Sequence, residues 1–211
     1  MIILGHRANT LRWIKRYLKE GADGVEIDAI KKNNRLVALH VVPTRRKRLL
    51  RERIGDFLSS MKFTPPLPIE ILLDYLPSNS YAIVDLKNRI EPSLVVESIE
   101  RSGLDIGRVF VSTRFHDEAP SLASAGLKVL LSLDSRPVDL EVLVEKSKAS
   151  GVSMNIEFLD REAVEKLKEK GFVVASWLIN SSKEYEKARR LGVEYAITDY
   201  PGILRRLEEE R

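Results

Sequence analysis

The chain has no cysteine among its 211 residues, which excludes disulfides, thiolate nucleophiles and Cys-based zinc centres together. Glutamine is also missing, and charged residues make up 31%, a composition that leans towards a thermophilic source. No apolar run approaches the roughly 20 residues of a bilayer-crossing helix, so no stable membrane insertion is expected. A strand-like Ile2-Ile3-Leu4 begins almost at Met1, which leaves no room for a leader peptide and gives an expectation of a cytoplasmic protein. The net charge is only +4, with bases interspersed among acids, so no nucleic-acid arm is present. That balance suits small anionic substrates. Histidine is scarce at three residues, which makes the position of each one informative.

Hydrophobic residues make up 44% of the chain, enough to fill a large core, and the length fits an α/β barrel at the short end of its range. A repeated unit is visible: a helical pattern ends, a glycine follows, and a β-branched run begins. Gly21, Gly103, Gly126, Gly151, Gly171 and Gly192 occupy that place, each suited to the left-handed position that closes a helix. The runs 2–6, 25–30, 81–87, 109–113, 127–133, 152–156, 172–178 and 195–198 read as strands. Most are continuously apolar, as expected of parallel strands covered by helices. Between them lie amphipathic segments with recognisable starts, including a capping box at Ser181 to Glu184, an N-cap at Asp160, and Pro92, Pro137 and Pro201 near first turns. The pattern predicts a single domain over 1–211, an α/β fold of the (β/α)8 TIM-like barrel type, with a doubly wound open sheet as the alternative.

Gly21-Ala-Asp-Gly-Val-Glu-Ile-Asp28 places Glu26 and Asp28 on one face of a strand. Either that face is wet, or a cation compensates two desolvated carboxylates. The interval from Asp28 to His40 is too short for a crossover helix. Residues 36–41 must therefore return as an extra antiparallel strand after strand 2, turning at Asn33-Asn34. A regular two-residue turn would face His40 away from the acids. We expect an odd loop or a bulge that brings it to their side. Residues 44–53 are basic and helical in pattern, a solvated helix under the barrel or an electrostatic collar, and a reduced insertion spans about 44–67.

Active sites of such barrels lie at the C-terminal ends of the strands. Those ends carry His6-Arg7, Glu26 and Asp28, Asp85 and Lys87, Ser112-Thr113-Arg114, Asn155 and Glu157, Trp177 and Thr198-Asp199. Glu26, Asp28 and Asp85 suit one hard divalent cation, Mg2+ or Ca2+, with Mn2+ if a histidine joins them. Arg7 and Lys87 suit phosphate oxygens, and His6 and His40 remain as an acid/base pair. His116 reads as structural or exposed.

Gly5-His6-Arg7, the octapeptide ending in Asp28, the returning strand ending in His40, Asp85-Leu-Lys87, Trp177-Leu-Ile-Asn180 and Ile197-Thr-Asp-Tyr-Pro201 together resemble the glycerophosphodiester phosphodiesterase family across nearly the whole chain. The resemblance implies a phospholipase-C-like barrel that hydrolyses glycerophosphodiesters to glycerol 3-phosphate and an alcohol with a divalent metal. By position it makes His6 and His40 the acid/base pair, Glu26, Asp28 and Asp85 the ligands, Arg7 and Lys87 phosphate contacts, and Trp177 a wall of the glycerol pocket. The chain departs from the family where Ala8-Asn9-Thr10 follow the first His-Arg pair, where Val41 follows His40, and where Asp85 replaces a glutamate. The alternatives are a binding barrel without turnover, and a metal-independent phosphate-handling barrel such as an isomerase.

Overall fold

A computed structural model describes residues 1–40 and 66–210. Val41, the basic stretch 44–53 and all but the last residues of the 44–67 insertion lie outside the described residues. In chain order the elements begin with β1 (Ile2–Gly5), α1 (Leu11–Lys19), β2 (Gly24–Lys32) and β3 (Arg35–Ala38). They continue with α2 (Ile69–Asp74), β4 (Tyr81–Leu86), α3 (Pro92–Glu100), β5 (Val109–Thr113), α4 (Ala119–Ser124) and β6 (Lys128–Leu133). Last come α5 (Leu140–Lys146), β7 (Gly151–Asn155), α6 (Arg161–Glu169), β8 (Val173–Trp177), α7 (Ser182–Leu191), β9 (Tyr195–Thr198) and α8 (Pro201–Glu209).

The sheet order is β1-β9-β8-β7-β6-β5-β4-β2-β3, and a β1–β2 pairing closes the ring. Every pairing is parallel except that of β2 with β3. The chain is therefore a (β/α)8 barrel with one strand hydrogen-bonded outside it, and the open-sheet alternative is excluded by closure. Apolar residues fill both layers, as the continuous strand runs require. Ile3, Ile27, Val84, Val111 and Val129 face the helices, while Leu4, Ile83, Phe110, Leu130 and Tyr195 fill the interior. Tyr195 meets Phe110 and Tyr81 edge-on at 5.2 and 5.6 Å, so the lower interior is packed and only the upper layer is left for polar groups.

The helix boundaries follow the local signals. The capping box at Ser181 forms, and Gly192 closes α7 with φ +77°. Asp160 caps α6 through the Ala163 N–H, and Pro92 and Pro201 open α3 and α8. Two readings need correction. Gly151 is not a helix-closing residue: Lys148 takes the left-handed conformation after α5 at φ +51°, and Gly151 begins β7, where a Cβ would stand 2.0 Å from the Val173 carbonyl oxygen. Pro137 precedes α5, whose N-cap is Asp139.

The hairpin also differs from expectation. Lys32 pairs with Arg35, Ile30 with Val37 and Ala29 with Ala38, so the turn at Asn33-Asn34 is the regular two-residue kind with positive φ at both positions. Neither an odd loop nor a bulge is present. The pairing stops at Ala38, and the last rung is the Leu39 N–H donating to the Asp28 carbonyl at 3.1 Å. His40 lies beyond the strand, where alternation no longer dictates its side, and it turns back towards Asp28.

Candidate active site

The upper layer of the barrel encloses a cavity of about 170 Å³. Its charged lining consists of His6, Arg7, Glu26, His40, Asp85, Lys87 and Arg114, and its remaining wall includes Ser112, Ser132, Ser153 and Trp177. The Trp177 indole is fixed by donating to the Ser153 carbonyl at 3.1 Å. His116 stands apart, its Nε2 3.1 Å from the Ser132 carbonyl oxygen.

The two acids of β2 are dry: Glu26 is 4% and Asp28 1% exposed, which rejects the reading of a wetted strand face. Asp85 follows on β4 in the register Asp28 to Asp85. Ligand oxygens of Glu26, Asp28 and Asp85 lie within 4.8 Å of one another. Three carboxylates this close repel, and among the described residues their ion-pair partners are Lys87, Arg7 and His40. Lys87 Nζ is 2.6 Å from Asp28 Oδ1 and also contacts Asp85 Oδ2; Arg7 Nε is 4.0 Å from Asp28 Oδ2.

The consequences divide the cluster. Burial, followed by the Asp28 charge, pushes the Glu26 carboxyl well above its ordinary value, against the pull of Lys87. Burial acts in the same sense on Asp28, but His40 and Lys87 outweigh it and hold that carboxyl well below its ordinary value. Burial would lower Lys87, yet Asp85, Asp28 and Glu26 together raise it. Asp28 Oδ1 is buried and lies 3.2 Å from His40 Nδ1 as well. A hard oxygen donor set from three buried or half-buried carboxylates gathered this closely fits a divalent cation held by these three residues.

Local folding positions each group. The chain turns sharply after β1, with Arg7 at φ +50°, and the Arg7 N–H donates to Glu26 Oε2 at 2.7 Å. Asn9 spans the same turn: its Nδ2 donates to Asp28 Oδ2 at 2.7 Å, and its Oδ1 accepts the Asp28 N–H at 2.9 Å. The trimmed loop Ala8-Asn9-Thr10 is thus a brace for Asp28. Tyr17 of α1 donates its hydroxyl to the His6 carbonyl at 2.9 Å. Burial holds that phenol up at about 12, so it stays a donor. The Tyr17 ring lies over Gly5, where a Cβ would be 2.2 Å from Cδ2.

His6 has its own support. Its Nδ1 lies 2.8 Å from Asp199 Oδ1. Asp199 Oδ2 accepts from Asn180 Nδ2 at 2.7 Å, and Asn180 Oδ1 accepts the Asp199 N–H and the Thr198 hydroxyl. The His6 hydrogen bond, helped by Asn180, outweighs partial burial and lowers the Asp199 carboxyl. With Nδ1–H on the carboxylate, Nε2 is the ring nitrogen free of that hydrogen bond. The sequence reading placed Asp199 on the ring of strand ends without a role, named Asn9 only as part of a departure from the family, and missed Tyr17. An Asn just after a His-Arg pair was the available signal for Asn9.

The mouth of this closed parallel barrel joins two imidazoles, three clustered carboxylates and the cations Arg7 and Lys87. No family model matches the chain. A glycerophosphodiester phosphodiesterase of Bacillus altitudinis is 26% identical over 96% of this chain and 93% of its own length. Among solved structures, a protein of Galdieria sulphuraria assigned that same activity superposes with a TM-score of 0.80 at 22% identity, covering 98% of this chain and 97% of the other. An Oleispira antarctica phosphodiesterase, solved in complex with its product sn-glycerol 3-phosphate, gives a TM-score of 0.76 at 18% identity over 99% and 97% of the two chains. The chain is therefore similar in sequence to the Bacillus altitudinis protein over nearly the whole of both, and it shares the barrel fold of these solved structures. Among the described residues no helix is long and apolar enough to cross a membrane.

Proposed function

We propose that the protein hydrolyses glycerophosphodiesters to glycerol 3-phosphate and an alcohol, with a divalent metal held by Glu26, Asp28 and Asp85. The observation that carries this reading is that His6, His40, Glu26 and Asp85 line one cavity at the barrel mouth, with Asp28 clustered beside the other two acids. Oxygen ligands favour Mg2+ or Ca2+, and Mn2+ becomes competitive if His40 shares the site. Bound there, such an ion would supply Lewis-acid polarisation of a phosphate oxygen.

The chain's own groups divide the remaining work. Arg7 and Lys87 offset charge on the non-bridging oxygens. His6, with its Nδ1 held on Asp199, presents Nε2 to the proton that must move, and Asp199 stabilises the imidazolium that forms. His40 lines the same cavity beside Asp28 and completes the pair, one imidazole taking a proton from the attacking hydroxyl and the other returning one to the departing alkoxide. Trp177 and the three serines supply an apolar face and hydroxyls for the glycerol.

Assay of glycerophosphoglycerol and glycerophosphocholine with and without EDTA tests the reading. Metal-dependent release of glycerol 3-phosphate is expected. Thermal stabilisation by substrate and metal without product would make the protein a binding barrel, and turnover that survives chelation would point to another phosphate chemistry.

A further inference from the structure

Arg114 is the cation at the mouth that the proposed chemistry leaves without a task. It follows β5 and lines the cavity. Asp85 pairs with Ser112 and Leu86 with Thr113 across β4 and β5. Lys87 and Arg114 each follow directly on the last paired residue of their strands, and both line the cavity. Two cations so placed repel unless anions attend both. Lys87 has Asp28 and Asp85, whereas Arg114 is exposed and has neither ion pair nor hydrogen bond among the described residues.

The scissile phosphate does not account for it. Three ionised carboxylates, a divalent ion, Lys87, Arg7 and one singly charged phosphodiester already cancel. Arg114 adds a positive charge that a simple glycerophosphodiester leaves unmatched. The wall beside it carries the hydroxyls of Ser112, Ser132 and Ser153, and Trp177 is the one aromatic side chain lining the cavity among the described residues. A quaternary ammonium is ordinarily enclosed by several aromatic faces, so this wall offers little to a choline group.

We propose that Arg114 reads the alcohol half of the substrate and selects glycerophosphodiesters whose alcohol carries a second anionic group, a phosphate or a carboxylate. The proposal rests on the phosphodiesterase reading above. A guanidinium suits such a group because its fork can engage two oxygens at once.

The test compares kcat/KM of the full chain, at fixed metal and pH, for bis(glycerophospho)glycerol, glycerophosphoglycerol and glycerophosphocholine. These carry an anionic, a neutral and a cationic alcohol. After correction for its two equivalent phosphates, the anionic probe is expected to exceed the cationic one by about tenfold or more, with the gap narrowing as salt screens the charges. Arg114→Gln should lower the anionic probe by about tenfold more than the neutral one, and Arg114→Glu should invert the order of the anionic and cationic probes. Melting temperatures of both variants report whether they fold. Equal loss on all three probes would move Arg114 to the scissile phosphate and overturn the proposal, as would a wild-type protein without preference. Hydrolysis of none of the probes would overturn the phosphodiesterase reading itself, a result distinct from hydrolysis without selectivity.

Discussion

The two ends of the barrel use the same residue types to opposite effect. At the N-terminal end, Asp23 accepts the Ile3 N–H at 2.8 Å and Arg205 at 2.7 Å. Arg205 also meets Glu208 at 3.0 Å, and Glu208 takes the N-terminal ammonium at 3.0 Å. Each charge there has a partner, and the result is a clamp between β1, α8 and the loop before β2. At the C-terminal end, Glu26, Asp28 and Asp85 face Lys87 and Arg7 in unequal number, and Glu26 and Asp28 are driven in opposite directions by their surroundings. A balanced cluster is a fastening. An unbalanced and buried one has free energy to give to a ligand.

Substitutions at the two ends should separate these roles. His6→Ala and His40→Ala are expected to cost about two to four orders of magnitude in turnover, measured by release of glycerol 3-phosphate, with little change in melting temperature; near-full activity in both would remove the histidines from the reaction. Asp199→Asn should cost about one to two orders, since it orients His6 without transferring the proton itself. It carries a second signature. Asp199 sits below its ordinary value in the folded protein, so its contribution to stability is present above pH 3.8 and is lost as pH falls through the lowered folded value. Denaturation curves of Asp199→Asn should therefore fall less steeply on the acid side than wild type, and identical acid limbs would contradict the ion pair.

The opposite end should show the converse. Asp23→Ala is expected to lower stability by about 1–2 kcal/mol, by unpairing the Ile3 N–H and Arg205, while activity per folded molecule is retained in an assay of the purified variant. Arg89→Ala, which removes surface pairs with Asp117 and Glu118, should lower the melting temperature by clearly less than Asp23→Ala and leave turnover alone. If it matched Asp23→Ala, the distinction between a clamp and a surface pair would fail.

The sequence made the barrel legible because parallel strands buried on both faces leave continuous apolar runs, and glycine marks most of the turns between helix and strand. It made the acids legible because two carboxylates at i and i+2 in such a run have few uses. The route of His40 was harder to read. The choice between a regular turn and a bulge assumed that the ladder extends as far as His40, whereas it ends at Ala38, and a side chain beyond a ladder obeys local backbone geometry. The support of His6 was hidden for another reason: Asp199 and Asn180 lie far along the chain, and only closure of the ring sets β9 and the segment after β8 beside β1. Asn9 was equally silent, since a brace between a loop and a strand has no period.

Tyr17 and Gly5 carry a constraint of a different kind. The ring that delivers its hydroxyl to the His6 carbonyl occupies the space a side chain at position 5 would need. Any enlargement at 5 evicts the ring, and any residue small enough at 17 to make room forfeits the bond to the backbone of His6. Those two positions can change only together, and no joint change keeps both the fit and the anchor. What ties the end of the first strand to glycine is thus a lack of room, imposed from a helix that never touches the reacting atoms.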